Sequence, residues 1–382
     1  MLKCSFCGKP YESEQLLEGV EGSVCASCLT IIKEIKNPFE SGEVTELKLT
    51  PSSETTDIPK PSEIKSFLNR YIIGQDEAKS LLSTEAYLHL KYAESPELDR
   101  KKNNICLIGP SGCGKTYLVE KLSEFLNVPF IIEDATKLTK SGYTGGTISD
   151  MFERLYKKSG EDLGLAQKGI IFIDEIDKIS SRYNISSGGS DVGTVAVQQE
   201  LLKALEGGIY EIGGSHGLNG SKAKIFDTKN VLFILSGAFV GLNGEKKESI
   251  GFNSNKTIEP IKSKDVSTDD LIKFGFIPEF VGRISLLLTL EALNTKQIKE
   301  ILLVSEGSVI TSYKNLFEAE GIQLSFNDQY INSLAESVNK GKVGVRGLNN
   351  SLSKTLNSIL YEKLEKGDFS EVSITENIFC QA

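Results

Sequence analysis

The sequence lacks any long hydrophobic run. Its first residues, MLKCSFCGKP, contain no apolar stretch like that of a secretory signal peptide. No segment approaches the roughly 18 apolar residues that a membrane-spanning helix requires. A basic excess is also absent, because 43 Lys and Arg stand against 52 Asp and Glu, a net charge of −9. We therefore expect a cytoplasmic protein without a membrane partner, and the charge disfavours a main task in coating nucleic acid.

The length and composition indicate a soluble globular chain of more than one domain. The 382 residues are 39% hydrophobic and 25% charged, which is usual for such chains. A length of this order predicts two or three domains that are large enough to bury hydrophobic cores. The 35 glycines indicate many tight turns or phosphate-binding loops.

Four of the seven cysteines form two C-x-x-C pairs near the start of the chain. The first pair is Cys4 and Cys7, and the second is Cys25 and Cys28, with 17 residues between the pairs. This spacing is typical of zinc sites, because two such turns can supply four thiolates in a tetrahedral arrangement. We predict a zinc-binding domain over residues 1–36 with a structural Zn²⁺. A mononuclear iron site, redox dithiols and four reduced thiols are the alternatives.

An α/β domain is predicted after a flexible linker. Residues 37–60 lose hydrophobic periodicity and gain Pro, Ser, Thr and Glu, a composition that does not support a folded core. Residues 61–290 alternate apolar and helical segments, which predicts a parallel sheet with helices on both faces. The predicted strands are 104–108, 129–133, 169–173 and 230–235, and the predicted helices are 62–70, 75–93, 114–126, 146–158 and 194–206.

A second, smaller and mainly helical domain is predicted over residues 291–382. The strand pattern mostly stops beyond residue 290, and helical periodicity takes its place. The predicted helices are 295–318, 327–339 and 346–366, followed by a possible last strand at 371–375.

A phosphate-binding loop is indicated by GPSGCGKT, residues 109–116, which matches G-x-x-x-x-G-K-T. The motif follows a predicted strand and opens a predicted helix, where backbone N–H groups and the helix N-terminus bind phosphate. Lys115 is expected to reach the β- and γ-phosphates of ATP, and Thr116 is expected to bind Mg²⁺. The predicted nucleotide contacts in this part of the chain are Gly109, Pro110, Ser111, Gly112, Cys113, Gly114, Lys115, Thr116 and Tyr117.

Two acidic residues complete the predicted ATPase site. Asp174 and Glu175 follow the apolar strand GIIFI, at the carboxyl end where open α/β sheets bind ligands. Asp174 is expected to hold Mg²⁺ or its water. Glu175 is expected to orient and polarise the water that attacks the γ-phosphate. The sequence therefore predicts an ATPase that uses positioning and charge stabilisation, without a covalent step.

With three further segments, these motifs resemble the ClpX family of AAA+ protein unfoldases over nearly the whole chain. The segments are PSEIKSFLNRYIIGQDEAK at 61–79, IPEFVGR at 277–283 and VGVRGL at 343–348, and the N-terminal CSFCGK adds to them. The resemblance implies a homo-hexameric AAA+ ring that uses ATP and Mg²⁺. It also implies that the ring unfolds protein substrates and feeds them to the ClpP peptidase, while the zinc domain docks substrates or adaptors.

The resemblance assigns roles that spacing alone does not. Ile72 and Ile73 would pack on the adenine. Arg283 would reach the γ-phosphate bound by a neighbouring subunit, where a guanidinium suits the task because it stays charged. Arg346 would contact the γ-phosphate of its own subunit, and Tyr143, in the sequence GYTG, would grip the substrate in the pore.

The ClpP contact and one further polar residue complete the family comparison. Ile250, Gly251 and Phe252 match the tripeptide that docks ClpP, and an exposed Ile and Phe on a polar loop fit such a partner contact. Ser236 follows the fourth predicted strand, near the sensor-1 position. We therefore expect an ATP-dependent unfoldase without peptidase activity of its own. A peptidase-independent remodelling chaperone is the alternative, and a nucleic-acid remodeller is disfavoured by the charge.

Overall fold

The computed structural model divides the chain into two compact units, Met1–Thr56 and Asp57–Ala382. Only the backbone is described for the residues of the first unit and for 192–193, 339, 345–348 and 351. The residues that the structure describes are 2–3, 10–11, 16–19, 22–25, 58–95, 102–138, 147–181, 192–213, 223–242, 266–303, 305–339, 345–367 and 370–374.

The described residues of the first unit form two antiparallel strand pairs. Strand β1 (Leu2–Lys3) pairs with β2 (Pro10–Tyr11), and β3 (Leu16–Gly19) pairs with β4 (Gly22–Cys25). Cys25 ends β4, but its side chain is not described. Outside the described residues lie Cys4, Cys7, Cys28, the end of the predicted zinc domain and the predicted linker up to residue 57. The zinc site therefore stays a prediction.

The second unit is built on a five-stranded parallel sheet with the order β11-β5-β10-β7-β6. The four strands predicted from the sequence are confirmed, three of them shifted by one or two residues. The edge strand β11 was not predicted. The sheet strands are β5 Asn104–Ile108, β6 Phe130–Asp134, β7 Ile170–Asp174, β10 Leu232–Gly237 and β11 Ile284–Thr289.

Helices cover both faces of this sheet, as the alternating pattern predicts. Two 3₁₀ turns, Ala135–Lys137 and Ile176–Ile179, follow β6 and β7. The helices are α1 Pro61–Tyr71, α2 Asp76–Glu94, α3 Lys115–Leu126, α4 Ile148–Lys158, α5 Leu163–Ala166, α6 Val192–Glu206, α7 Thr268–Phe274 and α8 Pro278–Val281.

The sheet separates two hydrophobic cores. Successive side chains of a strand point to opposite faces, and β5 shows this: Ile105 and Leu107 belong to one core, whereas Cys106 and Ile108 belong to the other. The first core contains apolar side chains of α1, α2 and α3, and the second contains those of α4, α6 and α8. Because both faces are buried, the central strands are almost continuously apolar.

An antiparallel hairpin of β8 (Ile209–Ile212) and β9 (Lys224–Asp227) stands apart from the main sheet. The sequence did not predict it. Phe226 of β9 is buried and stacks on Phe152 of α4 at 5.1 Å between ring centroids. The hairpin is therefore anchored to the second core through its aromatic residues.

The C-terminal part is mainly helical, with a two-stranded parallel pair and its own core. The prediction of one helix over 295–318 is wrong, because the described chain has two. Gly307 has a left-handed φ of 91°, and the Ser308 hydroxyl accepts from the Thr311 N–H at 3.3 Å, which caps the second helix. The elements are α9 Thr295–Leu303, α10 Val309–Ala319, β12 Leu324–Phe326, α11 Asp328–Asn339, α12 Val345–Lys366 and β13 Val372–Ile374.

In the described part of the chain, no helix combines the length and apolar character needed to cross a bilayer.

Candidate nucleotide and ATP-hydrolysis site

The phosphate-binding loop joins β5 to α3, and two different constraints require its glycines. Gly112 and Gly114 have φ values of 82° and 97°, and a Cβ at either position would meet no atom within 4 Å. Left-handed backbone is the constraint there. At Gly109 the constraint is space, since a Cβ would lie 2.6 Å from the carbonyl oxygen of Leu290. The loop is thus held tightly against the end of the sheet.

Lys115 is the first residue of α3, and its side chain is buried inside this loop. Its Nζ donates hydrogen bonds to the carbonyl oxygens of Gly109 at 2.6 Å and Pro110 at 3.0 Å. A buried ammonium group needs such partners, because desolvation of an unpaired charge is costly. The contacts place a positive charge within the loop that the sequence identifies as the phosphate site.

Thr116 and Asp174 come together from different strands. Thr116 follows β5 through the loop, Asp174 is the last residue of β7, and their Oγ1 and Oδ2 atoms are 3.4 Å apart. The other carboxylate oxygen, Oδ1, accepts from the backbone N–H of Glu175 at 2.9 Å. A hydroxyl and a carboxylate at this separation form the oxygen donor set that Mg²⁺ prefers beside phosphates. The predicted metal ligands therefore fit the ion.

Glu175 lies directly beyond β7 in an uncommon backbone conformation. Its φ is 57°, in the left-handed region that side chains other than glycine seldom adopt. Its carboxylate is 44% exposed and accepts from the Nζ of Lys178 at 2.5 Å. Strained backbone of this kind is concentrated at functional sites. A partly exposed carboxylate thus stands directly after Asp174, at the point where β7 ends. Sequence reasoning missed Lys178, although it stands three residues after Glu175.

Ser236 lies inside β10, whereas the sequence placed it after that strand. The β10–β7 register pairs Leu235 with Ile173, so the next residues of the two strands, Ser236 and Asp174, are neighbours across the sheet. Its hydroxyl is buried and has no hydrogen-bond partner among the described residues. A buried hydroxyl without a partner costs about 1–3 kcal/mol. The Ser236 hydroxyl is therefore a hydrogen-bonding group without a partner among the described residues, close to Asp174 at the end of β7.

The segment expected to contact adenine is held to the end of β11 by Gln75. Its Nε2 donates to the Glu291 carbonyl at 2.8 Å, and its Oε1 accepts from the Glu291 N–H at 3.0 Å. Ile72 is buried and its carbonyl accepts from Lys79 at 3.0 Å, while Ile73 is half-buried. A cavity of about 240 Å³ adjoins this segment, and Ile72 and Ile73 do not line it. Its lining residues are Gly74, Gln75, Asp76, Glu77, Ala78, Thr289, Glu291 and Gln297.

Cys113 of the loop and Tyr117 of α3 are two further predicted nucleotide contacts whose surroundings the structure describes. Burial raises the pKa of the Cys113 thiol, although nearby Lys115 opposes the shift. Cys113 is therefore a small, protonated filler of the loop at neutral pH. Tyr117 lies on the first turn of α3, and 36% of the residue is exposed.

Arg283 lies at the opposite edge of the sheet from the phosphate loop. The residue after it, Ile284, pairs with Asn104 at the start of β5, and the Asn104 side chain donates to the Arg283 carbonyl at 2.8 Å. The phosphate loop begins at the other end of β5, about 13–16 Å away at 3.3 Å per residue. The Arg283 side chain, 52% exposed, forms an ion pair with Glu206 through its guanidinium at 2.6 Å. The structure therefore does not bring Arg283 to the phosphate loop of its own chain.

The remaining predicted site residues cannot be placed in the same way. Arg346 is the second residue of α12, and its side chain is not described. The predicted pore and ClpP-docking residues lie outside the described residues, and they are Tyr143, Ile250, Gly251 and Phe252.

Comparison with known proteins agrees with this geometry. Residues 100–287 match the family model of the AAA domain (Cdc48 subfamily), which spans the phosphate loop, β7 and Arg283. The chain is 38% identical to the ATP-dependent Clp protease ATP-binding subunit ClpX 2 of Wolinella succinogenes, over 98% of this chain and 94% of that protein. With its phosphate loop and the paired Thr116 and Asp174, the chain is an AAA+ ATPase and belongs to the ClpX family of ATP-dependent unfoldases.

Proposed function

We propose that this protein is an ATP-driven unfoldase and translocase that delivers protein substrates to a ClpP peptidase. The observation that carries the proposal is the meeting of Thr116, Asp174 and Glu175 at the carboxyl edge of the sheet. The family membership extends it from ATP hydrolysis to protein unfolding. The name of the Wolinella relative describes the ATP-binding subunit of a protease, and this supports a separate peptidase partner.

The chain's own groups divide the work of hydrolysis. The loop N–H groups and Lys115 bind the phosphates, and Thr116 and Asp174 hold Mg²⁺. Bound Mg²⁺ neutralises charge that develops on the phosphate oxygens. Glu175 orients a water molecule and accepts its proton, and its contact with Lys178 restrains the carboxylate next to the reaction site. Ile72 and Ile73 pack against adenine, while Tyr117 and the small loop residues complete the nucleotide contacts.

Arg283 acts on ATP bound by a neighbouring subunit. Its place at the amino-terminal edge of the sheet supports this, because its own phosphate loop begins at the opposite end of β5. Its partial exposure makes it accessible to a second chain. A guanidinium stabilises charge on the transferring phosphoryl group. Arg346 contacts the γ-phosphate from the helical domain of the same subunit, and the assembly is a homo-hexameric ring.

The remaining assignments follow the family pattern. Four domain ranges are proposed: a zinc domain at 1–36, a linker at 37–60, the large ATPase domain at 61–290 and the small domain at 291–382. Tyr143 grips the substrate in the pore, and the tripeptide from Ile250 to Phe252 docks ClpP. Cys4, Cys7, Cys25 and Cys28 bind one Zn²⁺, and this domain receives substrates or adaptors.

The proposal is tested with the full chain and the ClpP of the same organism. A folded fluorescent reporter fused to a peptide tag taken from a substrate should lose fluorescence with ATP and this protein, and it should be degraded only when ClpP is also present. Substrates for the fusion come from a pull-down with Glu175→Gln, which should hold them without hydrolysing ATP. Phe252→Ala should unfold the reporter yet leave it undegraded. Unaltered degradation by Phe252→Ala at limiting ClpP would favour the peptidase-independent chaperone.

A further inference from the structure

Gln198, in α6, is fully buried, and its side-chain amide bridges two distant segments. Its Nε2 donates to the carbonyl of Ile179 at 2.8 Å, and its Oε1 accepts from the N–H of Ile277 at 2.8 Å. Nε2 also lies 3.5 Å from the Gly275 carbonyl. Buried polar groups are kept where partners satisfy them. Here one side chain satisfies backbone groups that stand about 100 residues apart in the sequence.

Each of the two bridged segments adjoins a predicted catalytic group. One group is Glu175 and the other is Arg283, and the two are proposed to act on ATP bound by different subunits. Ile179 ends the 3₁₀ turn that begins directly after Glu175. Ile277 is the N-cap of α8, the short helix that leads to Arg283. The amide of Gln198 therefore connects the turn after Glu175, beside the subunit's own predicted ATP site, with the segment that presents Arg283 of the same subunit.

Neighbouring contacts make this connection stiff. The backbone N–H of Ser181 donates to the Gly275 carbonyl at 3.1 Å, so the two segments also touch directly. The rings of Phe276 and Phe280 stack at 5.6 Å between centroids. At its C-terminal end, about 12 Å from Gln198 along the helix axis, α6 offers Glu206 to the Arg283 guanidinium. Helix α6 therefore contacts the arginine-bearing segment at two separate points.

We propose that Gln198 is a positioning residue for ATP hydrolysis. It fixes the segment 275–283 against the turn after Glu175, so that a movement of that turn with the nucleotide state is passed to the arginine presented to the next subunit. The coupling runs through packed and hydrogen-bonded groups. The inference rests on the proposed action of Arg283 on a neighbour's ATP.

Rings assembled from two different variants test the inference, because they can hydrolyse ATP at only one kind of subunit interface. An Arg283→Ala subunit retains its own Glu175, and a Glu175→Gln subunit supplies only Arg283, so hydrolysis in the mixture comes from the interfaces between them. Gln198→Met is placed in the Glu175→Gln subunit, whose own site is already inactive. We expect the restored kcat to fall about tenfold to a hundredfold, because displacements near 1 Å have effects of this size. The KM for ATP should not change, because the hydrolysing subunits keep their own binding groups.

Two further variants separate positioning from folding. Gln198→Glu keeps an oxygen that accepts from the Ile277 N–H but places a second oxygen against the Ile179 carbonyl, so the bridge is broken and the restored activity should stay as low as with Gln198→Met. Gln199→Met is the matched control, because Gln199 is the next residue of α6 and is exposed. It should leave the restored activity unchanged.

Three results would overturn the inference. Full restored activity with Gln198→Met would exclude a positioning role while leaving the trans action of Arg283 intact. A loss of ATP affinity or of ring assembly in the Gln198→Met subunit would assign Gln198 to folding alone. No hydrolysis in mixed rings that carry an unaltered Gln198 would refute the trans action of Arg283, and this inference with it.

Discussion

The central sheet has a carboxyl edge, where its parallel strands end, and an amino-terminal edge, where they begin. The two differ in how their functional side chains are held. At the carboxyl edge, Lys115 is buried within the phosphate loop, and Thr116 meets Asp174 at 3.4 Å. At the amino-terminal edge, Arg283 is half exposed and pairs with Glu206 on the surface. Exposed ion pairs of this kind contribute only about 0–1 kcal/mol. The carboxyl edge is thus a preformed site, whereas the amino-terminal edge holds an arginine that can leave its partner for another chain.

The largest effect is expected at the carboxyl edge, from Glu175→Gln. Turnover should fall by about a thousandfold or more, because the carboxylate that takes the water's proton is lost. ATP affinity should change little, since Lys115, Thr116 and Asp174 remain. Steady-state hydrolysis and fluorescent-nucleotide titration measure the two quantities. The exposed Glu120→Gln on α3 is the control. Near-normal turnover in Glu175→Gln would remove this residue from the mechanism.

At the opposite edge, Arg283→Ala should lower kcat by about a hundredfold, the scale on which single charge-stabilising donors act. ATP affinity should be nearly unaffected, because the arginine stands far from its own phosphate loop. Hydrolysis rates and nucleotide titration again provide the measurement. Lys157→Ala, which removes another exposed paired cation, should leave kcat unchanged. An Arg283→Ala protein with wild-type kcat would break the comparison between the edges.

The structure shows why some features could be predicted and others could not. The apolar strands β5 and β7 and the loop between Gly109 and Thr116 are local patterns, and the sequence indicated their positions to within a residue. The partners of the site are not local. Glu206 meets Arg283 across 77 residues, and Gln198 meets Ile277 across 79. Such pairs depend on how α6 packs, which periodicity does not reveal.

The missed elements have similar causes. Strand β11 joins the sheet through β5, some 180 residues earlier in the chain, so its pairing has no nearby signal. The hairpin of β8 and β9 forms from two short segments that are held by aromatic packing on α4. In the helical part, the continuous periodicity concealed a break that Gly307 and Ser308 create. Local patterns therefore predicted element type better than long-range pairing or helix interruption.

A smaller effect is expected from methyl groups added to the phosphate loop. Gly109→Ala places a Cβ 2.6 Å from the backbone oxygen of Leu290 and should destabilise the fold by about 1–3 kcal/mol, as overpacking does. Gly112→Ala meets no atom and should cost about 1–2 kcal/mol through its left-handed backbone alone. Thermal unfolding of both variants measures which of the two substitutions destabilises the fold more. A Gly109→Ala protein as stable as the wild type would contradict the tight fit of this edge.

The smallest effect concerns Asp177, in the 3₁₀ turn after Glu175. Burial raises the pKa of its carboxyl group, although the N–H of Phe239 and the charge of Lys178 act in the opposite direction. The folded state therefore binds the proton more tightly than the unfolded state does. The free energy of unfolding should fall as pH rises from the ordinary pKa of Asp through the raised one. Asp177→Asn should remove this dependence in urea unfolding at pH values above about 4, the ordinary pKa of Asp. An unchanged slope would contradict the assignment.

The most direct test of the difference between the edges is hydrolysis by mixed rings of Arg283→Ala and Glu175→Gln subunits. Each variant alone should be nearly inactive, because one lacks the arginine and the other lacks the carboxylate. If Arg283 serves the neighbouring site, the mixture should regain hydrolysis in proportion to the interfaces that join an intact Glu175 with an intact Arg283. Rings that are shown to contain both subunits and yet hydrolyse no more ATP than either variant alone would contradict the account.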